Sequence, residues 1–380
     1  MHVILNLDAI QLPLTGIGQY ALQLAHGLRR HPTVDNVRFF SAYRWLADPD
    51  QALRFNQALG EVRNRVPFKT VALHLYGFAR SQLFRWRTRN LNSHVLHTPN
   101  FILMPFSGAA VTTIHDLSYL HYPQHHPRER VAFMNRQMPR TLAQAAMIVT
   151  DSEFVRRELI DLLGVAAHRI QTVPLGVDAS FRPRSPAESA PILARHGLAG
   201  VSYLLVVATL EPRKNLLRLI EAYSRLPMPL RQQHPLVIVG ARGWLTGELE
   251  RRLVPLERSG QIKRLGYVSQ EDLPLIYSSA HAFVFPSLYE GFGLPVLEAL
   301  ASGTPTLTSN RSSLPEVAGD AALLVDPENV DTLTAGLERL LTDAEWRAQA
   351  TERGLRQARQ FSWERCVDET VAVYRRALAG

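Results

Sequence analysis

Short runs of Val, Ile and Leu alternate along the chain with longer stretches in which apolar residues recur every three or four positions. The short runs are typical of buried strands, and the longer stretches, such as 18–30, 128–145 and 152–163, are typical of amphipathic helices. This rhythm predicts parallel sheets covered by helices on both faces. The predicted strands are 3–7, 37–41, 94–97, 110–114, 147–150, 170–173, 203–208, 236–239, 262–265, 282–285, 305–308 and 322–325.

The rhythm breaks at 182–191, where Pro183, Pro186 and Pro191 fall close together. Prolines at this spacing favour a linker, and 380 residues exceed the ~250–300 that one hydrophobic core usually serves. We therefore predict an α/β protein of two Rossmann-like, doubly wound parallel-sheet domains, 1–183 and 184–361. Because ligands of such sheets bind at the carboxyl ends of the strands, we expect the site in a cleft between the facing domains.

The composition excludes several classes of protein. With 46% hydrophobic and 20% charged residues, the chain is typical of a globular protein, neither disordered nor fibrous. No apolar run approaches the ~18–20 residues of a membrane-spanning helix, and residues 1–8 favour a strand over a secretion signal. The single cysteine, Cys366, excludes an intrachain disulfide and a cysteine-based zinc site. We therefore expect a cytoplasmic protein.

The charge is distributed unevenly. Residues 1–183 hold 20 Lys and Arg against 12 Asp and Glu, and the remaining residues hold 22 of each. Such a surplus favours an anionic partner, namely a membrane surface, a phosphorylated acceptor or nucleic acid, although a solvated basic face is an alternative. No nucleic-acid-binding motif accompanies it, so we expect lipid and no nucleic acid. The candidate acceptor or membrane residues are Arg80, Arg85, Trp86, Arg87 and Arg89.

The run 286–298 follows a predicted strand and contains two glycines before a helix that begins near Pro295. Glycines let the backbone approach a ligand closely, and a new helix directs free N–H groups at it, so the run predicts a phosphate site. Glu290 and Glu298 are placed to face the same ligand. Because carboxylates repel phosphate, they suit the hydroxyls of a sugar or ribose. The alternative is an ordinary turn in which Glu290 is solvated.

Two further runs follow predicted strands. Arg213 and Lys214 are adjacent cations at a strand–helix junction, which suits an anionic leaving group, although a solvated helix start is possible. His115 could bind a substrate hydroxyl, with Asp116 orienting its ring or stabilising positive charge. A His–Asp pair at such a position is often structural, but a place at the expected cleft favours function.

Gly16 and Gly18 match the dinucleotide fingerprint G-x-G-x-x-[GA] only formally. In that fingerprint the first glycine follows the strand at once, whereas here eight residues separate Leu7 from Gly16. We interpret the pair as a contact of the N-terminal domain to a diphosphate or an acceptor. A nicotinamide-dependent dehydrogenase would leave Glu290 and Arg213 unexplained.

Taken together, these motifs resemble the retaining glycosyltransferases of family 4, which have the GT-B fold. The resemblance spans nearly the whole chain. Its most specific element is E-x7-E, here Glu290 to Glu298, and it is reinforced by the runs 210–215, 309–316 and 319–322. The resemblance also implies that the final helix, 362–380, completes the N-terminal domain.

The resemblance implies roles for individual residues. Arg213 and Lys214 would hold the donor diphosphate, Glu298 would bind the ribose, and His115 would touch the sugar. Catalytic roles would fall to His115, Glu290, Arg213 and Lys214. The other donor contacts it implies are Gly291, Phe292, Gly293 and Leu294 at the sugar and phosphates, and Tyr267 and Val268 at the base.

The resemblance further implies metal-independent hexosyl transfer with retention, in which the acceptor hydroxyl attacks on the leaving-group face. The motif variants look most like bacterial mannosyl- or rhamnosyltransferases of lipopolysaccharide O-antigen assembly. We therefore expect GDP-mannose or GDP-D-rhamnose as donor and a lipid-diphosphate-linked glycan as acceptor, at the inner face of the cytoplasmic membrane. A UDP-sugar-dependent enzyme of the same fold, an epimerase and a non-catalytic nucleotide-sugar- or glycan-binding subunit are the alternatives.

Overall fold

The chain folds into two compact units. The computed structural model describes residues 1–56, 69–241, 243–244 and 246–380, and of residues 69–78 only the backbone. The first unit comprises Met1–Leu117, Arg128–Gly176 and Trp363–Gly380, and the second comprises Ser118–Pro127 and Val177–Ser362. The chain therefore passes repeatedly between units, and its last helix belongs with its first strands.

The first unit is built on a seven-stranded sheet in the order β3-β2-β1-β4-β5-β6-β7. Every pairing is parallel except that of β3 with β2. The strands are β1 (His2–Asn6), β2 (Asn36–Ser41), β3 (Arg44–Leu46), β4 (Val95–Thr98), β5 (Ala110–Ile114), β6 (Met147–Thr150) and β7 (Ile170–Thr172). Strands β4, β5 and β6 are buried along their whole length, which explains their unbroken apolar runs.

Helices cover this sheet, and the C-terminal helix is tightly fixed to it. A Cβ atom on Gly27 would meet Val367 Cγ2 at 2.3 Å, so the first and last helices approach closely because residue 27 is glycine. The Tyr374 hydroxyl lies 2.7 Å from His97 Nδ1 on β4. The helices are Gly16–Arg30, Lys69–Thr88, Arg128–Gln144, Glu153–Leu163 and Trp363–Ala379, with a 3-10 turn at Ala167–Arg169.

The second unit is built on a six-stranded, wholly parallel sheet in the order β10-β9-β8-β11-β12-β13. Its strands are β8 (Leu204–Val207), β9 (Leu236–Val239), β10 (Ile262–Gly266), β11 (Ala282–Phe285), β12 (Thr306–Ser309) and β13 (Ala322–Val325). Its helices are Ser118–His121, Pro186–Arg195, Leu216–Arg225, Met228–Gln233, Gly247–Arg258, Leu273–Ser279, Leu294–Ala301, Leu314–Ala318, Val330–Thr342 and Ala344–Ala358, with 3-10 turns at Pro123–His125 and Pro212–Lys214.

All twelve predicted strands are present, each end within one residue of its predicted place. The prediction of a linker at 182–191 was wrong, because Pro186–Arg195 is a helix. The Ser185 hydroxyl accepts a hydrogen bond from the Glu188 N–H at 3.3 Å, and the Glu188 carboxylate accepts one from the Ser185 N–H at 2.9 Å. This capping box uses Pro186 as the first helical residue, where a missing N–H costs nothing.

Residues 118–127 lie between strands of the first sheet in sequence but group with the second unit. The rings of His121 and Tyr122 lie 5.2 and 6.1 Å from that of Tyr289, and Trp244 Nε1 donates to the His125 carbonyl at 2.5 Å. These aromatic contacts hold the segment on the second unit. None of the helices in the described parts of the chain is long and apolar enough to cross a membrane.

Candidate active site

A cluster of ion pairs lies at the carboxyl ends of β8 and β11, which are neighbours in the second sheet. The turn Pro212–Lys214 follows β8, and the loop that carries Glu290 follows β11. One carboxylate oxygen of Glu290 lies 2.9 Å from an Arg213 guanidinium nitrogen, and the other lies 2.6 Å from Lys214 Nζ. The structure therefore brings together three of the four residues for which the resemblance implies catalytic roles.

Further contacts neutralise this cluster. Arg213 also donates to the Tyr289 carbonyl at 2.5 Å and to the Glu211 carboxylate at 2.7 Å, and the Ser287 hydroxyl donates to Glu290 at 2.5 Å. The side chains of Arg213, Lys214 and Glu290 are each only 11–12% exposed. The charges of two cations and two carboxylates therefore cancel within a buried cluster. Glu211 and Ser287 had not been singled out from the sequence.

The charge state of Glu290 follows from these contacts. Burial alone would raise its pKa, but Arg213 and Lys214 outweigh burial and lower the pKa of Glu290 to about 2. Glu290 is therefore a carboxylate at any physiological pH. It holds the two cations in place and can accept hydrogen bonds from hydroxyl groups.

The helix Leu294–Ala301 begins beside this cluster. Its N-cap, Gly293, has φ 118°, a backbone conformation that favours glycine. Among the residues that the structure describes, the N–H groups of Gly293 and Leu294 have no hydrogen-bond partner. Ser313 fixes the loop by donating to the carbonyls of Glu290 and Phe292, at 2.8 Å each. Free N–H groups at a helix N-terminus are of the kind suited to bind an anion.

Asn215 ties the turn to its surroundings. It has a left-handed backbone, with φ 60°, and its side-chain amide donates to the carbonyls of Pro286 at 3.1 Å and Pro327 at 2.6 Å. Since these partners lie 71 and 112 residues away, the sequence did not reveal this role.

Glu298 lies one turn into the same helix, outside the ion-pair cluster, in a contrasting environment. Burial, the largest influence, together with the charge of Asp178, raises the pKa of Glu298 to about 8, against a lowering influence of the Tyr277 hydroxyl. Two carboxyl groups eight residues apart therefore differ widely in acidity. Glu290 is ionised at neutral pH, whereas Glu298 is largely protonated.

We predict that nucleoside diphosphate affinity rises between pH 7 and pH 9 if Glu298 binds ribose hydroxyls as a carboxylate. The carboxyl group must first lose its proton, so at pH 7 a tenth of the molecules would be competent and affinity would be about tenfold below its plateau. Isothermal titration calorimetry with GDP at several pH values between 7 and 9 measures this change in affinity. Glu298→Gln should abolish the pH dependence, and a dependence that survives in this variant would exclude Glu298 as its source.

The two residues expected at the base follow β10. Gly266 ends the strand with φ 68°, Tyr267 is 49% exposed, and Val268 is buried. A half-exposed aromatic ring at the carboxyl edge of the sheet is suited to stack on a planar base. Their contact with a nucleotide stays a prediction.

His115 belongs to the first unit and is held by a residue that the sequence analysis missed. Its Nδ1 lies 2.6 Å from a carboxylate oxygen of Asp151, and its Nε2 lies 3.0 Å from the Pro99 carbonyl. Of the two roles expected for Asp116, orienting the ring is wrong, because the neighbouring strand end supplies the partner, whereas stabilising positive charge agrees with the raised pKa of His115. Burial would lower the pKa of His115, but Asp151 and, more weakly, Asp116 raise it above its usual value.

The glycine pair of the first unit has a packing explanation in part. The Gly18 N–H donates to the Thr15 side chain at 3.2 Å, and a Cβ atom on Gly18 would meet the Ala9 carbonyl at 3.0 Å. Gly16 is exposed and begins the helix Gly16–Arg30. A role of either glycine in ligand binding stays a prediction.

The arginine cluster divides between two environments. Arg80 is turned inward, where its guanidinium pairs with Asp8 and donates to the Ala42 carbonyl at 2.9 Å. Arg85, Trp86 and Arg89 are exposed, with the Arg89 guanidinium 5.4 Å from the centre of the Trp86 ring, and Arg87 is half-buried. Arg80 therefore serves the fold, and the exposed basic face is smaller than the sequence suggested.

Comparison with known proteins agrees with this geometry. The family model described as glycosyltransferase family 4 matches residues 14–181, and that described as glycosyl transferases group 1 matches residues 194–357. The O-antigen chain mannosyltransferase B of Escherichia coli is 39% identical over 379 residues, which are 99% of this chain and 100% of that protein. The chain belongs to the family 4 glycosyltransferases.

Solved structures agree on the fold. Sucrose-phosphate synthase from Thermosynechococcus elongatus matches with a TM-score of 0.77 and 21% identity, over 100% of this chain and 99% of that one. Anabaena HepE, solved in complex with UDP-glucose, matches with a TM-score of 0.73 and 18% identity, over 98% and 99% of the two chains. The glycosyltransferase thus has the GT-B architecture of two Rossmann-like domains, as predicted, and the dehydrogenase interpretation is excluded.

Proposed function

We propose that this glycosyltransferase moves mannose from GDP-mannose to a lipid-diphosphate-linked glycan during assembly of an O-antigen polysaccharide. The observation that carries the proposal is the buried cluster of Arg213, Lys214 and Glu290 beside the unpartnered N–H groups of Gly293 and Leu294. The cations and the helix N-terminus suit a diphosphate, and the carboxylate suits sugar hydroxyls. The full-length similarity to an O-antigen chain mannosyltransferase supports the choice of sugar and pathway.

The chemistry follows from the charges of the cluster. Departure of the sugar leaves negative charge on the diphosphate, which Arg213, Lys214 and the helix N-terminus would stabilise electrostatically. Because these groups supply the positive charge, we propose that no divalent metal is needed. His115 would contact the transferred sugar, and the acceptor hydroxyl would attack on the face that the diphosphate leaves, so that the anomeric configuration is retained.

We expect the protein to be stabilised by GDP more than by UDP, ADP or NAD when thermal unfolding is measured with each in excess. A ligand at ~100 times its dissociation constant adds ~2.7 kcal/mol to the free energy of unfolding. Arg213→Ala should abolish the shift, whereas Arg225→Ala, an exposed residue of the same unit, should retain it. A shift with UDP alone would overturn the GDP assignment and leave the enzyme class intact.

A transfer assay then tests the reaction itself. GDP-mannose, GDP-D-rhamnose and UDP-hexoses are each offered with a lipid-diphosphate-linked glycan, and the product is analysed by NMR for its anomeric configuration. Mannosyl transfer with retention, undiminished by EDTA, is the expected result. An inverted product or loss of activity in EDTA would contradict the mechanism, and rhamnosyl transfer would change the sugar.

We further propose that the first unit docks on the anionic inner face of the cytoplasmic membrane. The helix Lys69–Thr88 lies in the connection from β2 to the parallel strand β4, and the helix Arg128–Gln144 lies in that from β5 to the parallel strand β6. Both connections move the same way across the sheet, so right-handed crossovers place the two helices on one side of it. Each exposes an aromatic ring among arginines, Trp86 being 59% and Phe133 50% exposed. The exposed arginines of the two helices and their ends are Arg85, Arg89, Arg128, Arg130, Arg136 and Arg140.

Neutralising Arg85 and Arg89 together as Arg→Gln should weaken binding to phosphatidylglycerol-containing vesicles about 30-fold, since each basic residue near such a surface contributes about 1 kcal/mol. Co-sedimentation at low salt measures the loss. Arg251→Gln with Arg258→Gln, the same change of charge on an exposed helix of the second unit, is the control. Equal binding by the two double variants would exclude this surface.

A further inference from the structure

The His115–Asp151 pair lies where the register of the first sheet sets two side chains next to each other. Ile114 at the end of β5 pairs with Thr150 at the end of β6, so His115 and Asp151 are the next residues on each strand and project to the same face. They are 6% and 2% exposed. Burying two ionisable groups costs more desolvation free energy than burying apolar ones, so packing alone does not account for the pair.

Both nitrogens of His115 face acceptors. Nδ1 lies 2.6 Å from Asp151 Oδ2, and Nε2 lies 3.0 Å from the Pro99 carbonyl. The Pro99 carbonyl can only accept, so Nε2 carries a proton. Burial raises the pKa of Asp151, but the charge of Asp151 and its hydrogen bond raise the pKa of His115, and a carboxyl group is intrinsically far more acidic than imidazolium, so we place the proton shared by the pair on the ring. With N–H groups on both nitrogens, His115 is a cation, and its two hydrogen bonds differ: one goes to a charged carboxylate and one to a neutral carbonyl.

The surroundings hold the ring but leave one bond exchangeable. Tyr20 and Phe101 contact the ring edge-on, with ring centroids at 5.3 and 5.7 Å. The second oxygen of Asp151 is buried and has no hydrogen-bond partner within the described part of the chain. Since the bond to Asp151 is the stronger one, a ligand oxygen that displaces the Pro99 carbonyl gains Nε2–H without disturbing Nδ1.

We infer that Asp151 is a positioning residue for glycosyl transfer, which fixes His115 through Nδ1 and keeps it a cation whose Nε2–H is presented to the donor sugar. The inference rests on the proposed function, because it takes the transferred sugar as the ligand of His115. A doubly protonated ring accepts no proton. His115 therefore acts as a hydrogen-bond donor and a positive charge, and not as a general base.

NMR titration of the His115 Cε1–H in the full-length protein tests the charge state directly, with the signal identified by its loss in His115→Gln. We expect the wild-type midpoint to lie above the ~6.5 of an ordinary histidine. In Asp151→Asn the carboxylate charge is lost while His115 stays buried, so the titration midpoint of His115 should fall below the ~6.5 of an ordinary histidine. A neutral His115 at pH 7 in the wild type would overturn the inference even if Asp151→Asn fails to fold.

Kinetics test the consequence for transfer. Asp151→Asn should lower kcat about 10²-fold at pH 7 with a much smaller change in KM for the donor. The deficit should shrink towards pH 5.5, because solvent then protonates the ring. The other titratable groups near the pair are Asp116, His97, Tyr20 and Cys366. Asp116→Asn is the matched control, and it should lose less than about threefold.

The outcomes separate this inference from the proposed function. If the wild type turns over no nucleotide sugar, the proposed function fails, and the NMR titration still decides the state of His115. If transfer occurs but Asp151→Asn loses activity equally at every pH, Asp151 is merely structural and the inference is wrong. Recovery of activity at low pH, together with a lowered His115 midpoint, supports it.

Discussion

Replacing Arg213 with alanine should lower kcat/KM for the nucleotide-sugar donor by about 10²–10³-fold. The guanidinium is the group best placed to bind a diphosphate through two parallel hydrogen bonds, and loss of one preorganised donor to developing negative charge typically costs this much. Steady-state kinetics with GDP-mannose measures the effect. Arg213→Lys retains the charge without the planar fork, so it should fall between the wild type and alanine.

The same substitution should also destabilise the second unit. Arg213 is shared by the Tyr289 carbonyl, Glu290 and Glu211, and without it the buried Glu211 loses its cation. Removing one partner of a buried ion pair costs on the order of 3 kcal/mol, which urea unfolding resolves. Arg225→Ala controls for an exposed arginine of the same unit. If kcat/KM is unchanged while stability falls, Arg213 serves only the fold.

The members of the ion-pair cluster could be predicted because each lies close in sequence to the end of a strand. Each element of it is a short run at the end of an apolar strand, as in 209–215 and 286–298, so the strand pattern and the residue types sufficed to place Arg213 and Glu290. The mutual contact of these two residues follows from β8 lying beside β11, which no local pattern specifies. Sequence therefore indicated the members of the cluster, and the sheet order explains why they pair.

Residues whose partners are remote in sequence were missed because the order and register of the strands decide these contacts, and no local pattern specifies either. Asp151 becomes the partner of His115 only through the register of β5 with β6, although its place directly after a predicted strand was a usable signal. Arg80 seemed to belong with its sequence neighbours, yet it turns inward to Asp8, 72 residues away. A cluster of arginines in the sequence does not show which of them lie on the exposed face of the helix.

A local sequence pattern also gave a wrong prediction where one residue type is common in two kinds of structure, as proline is in linkers and at the first position of helices. Pro186 favoured a linker, but with Ser185 and Glu188 on either side it is the first residue of a capped helix. Strand β3, Arg44–Leu46, is a three-residue edge strand entered through Ala42 with φ 53°. Three residues give too little periodicity to separate a strand from a turn.

We expect Glu290→Gln to move binding and turnover in opposite directions. The charges of Arg213, Lys214, Glu211 and Glu290 sum to zero. Losing one negative charge leaves a net positive site, so GDP should bind up to about tenfold more tightly, which corresponds to about 1.4 kcal/mol. At the same time kcat should fall about 10²–10³-fold, because the amide neither holds both cations nor accepts sugar hydroxyl hydrogen bonds as strongly.

Glu211→Gln distinguishes the effect of the lost charge from the effect of the position of Glu290. It removes the same charge from the same cluster without altering the loop 290–293. Both variants should bind GDP more tightly, but only Glu290→Gln should lose turnover. Equal losses of kcat would mean that charge balance alone matters, and no loss in either would exclude Glu290 from the reaction.

The pH dependence of stability tests Glu290 independently of kinetics. Lowering the pKa of Glu290 to about 2 contributes about 3 kcal/mol to the free energy of unfolding. This contribution is fully present above pH 4.5 and is lost as the pH falls towards 2. Glu290→Gln should lack this acid-sensitive contribution, so the difference in unfolding free energy between it and the wild type should narrow as the pH falls through that range.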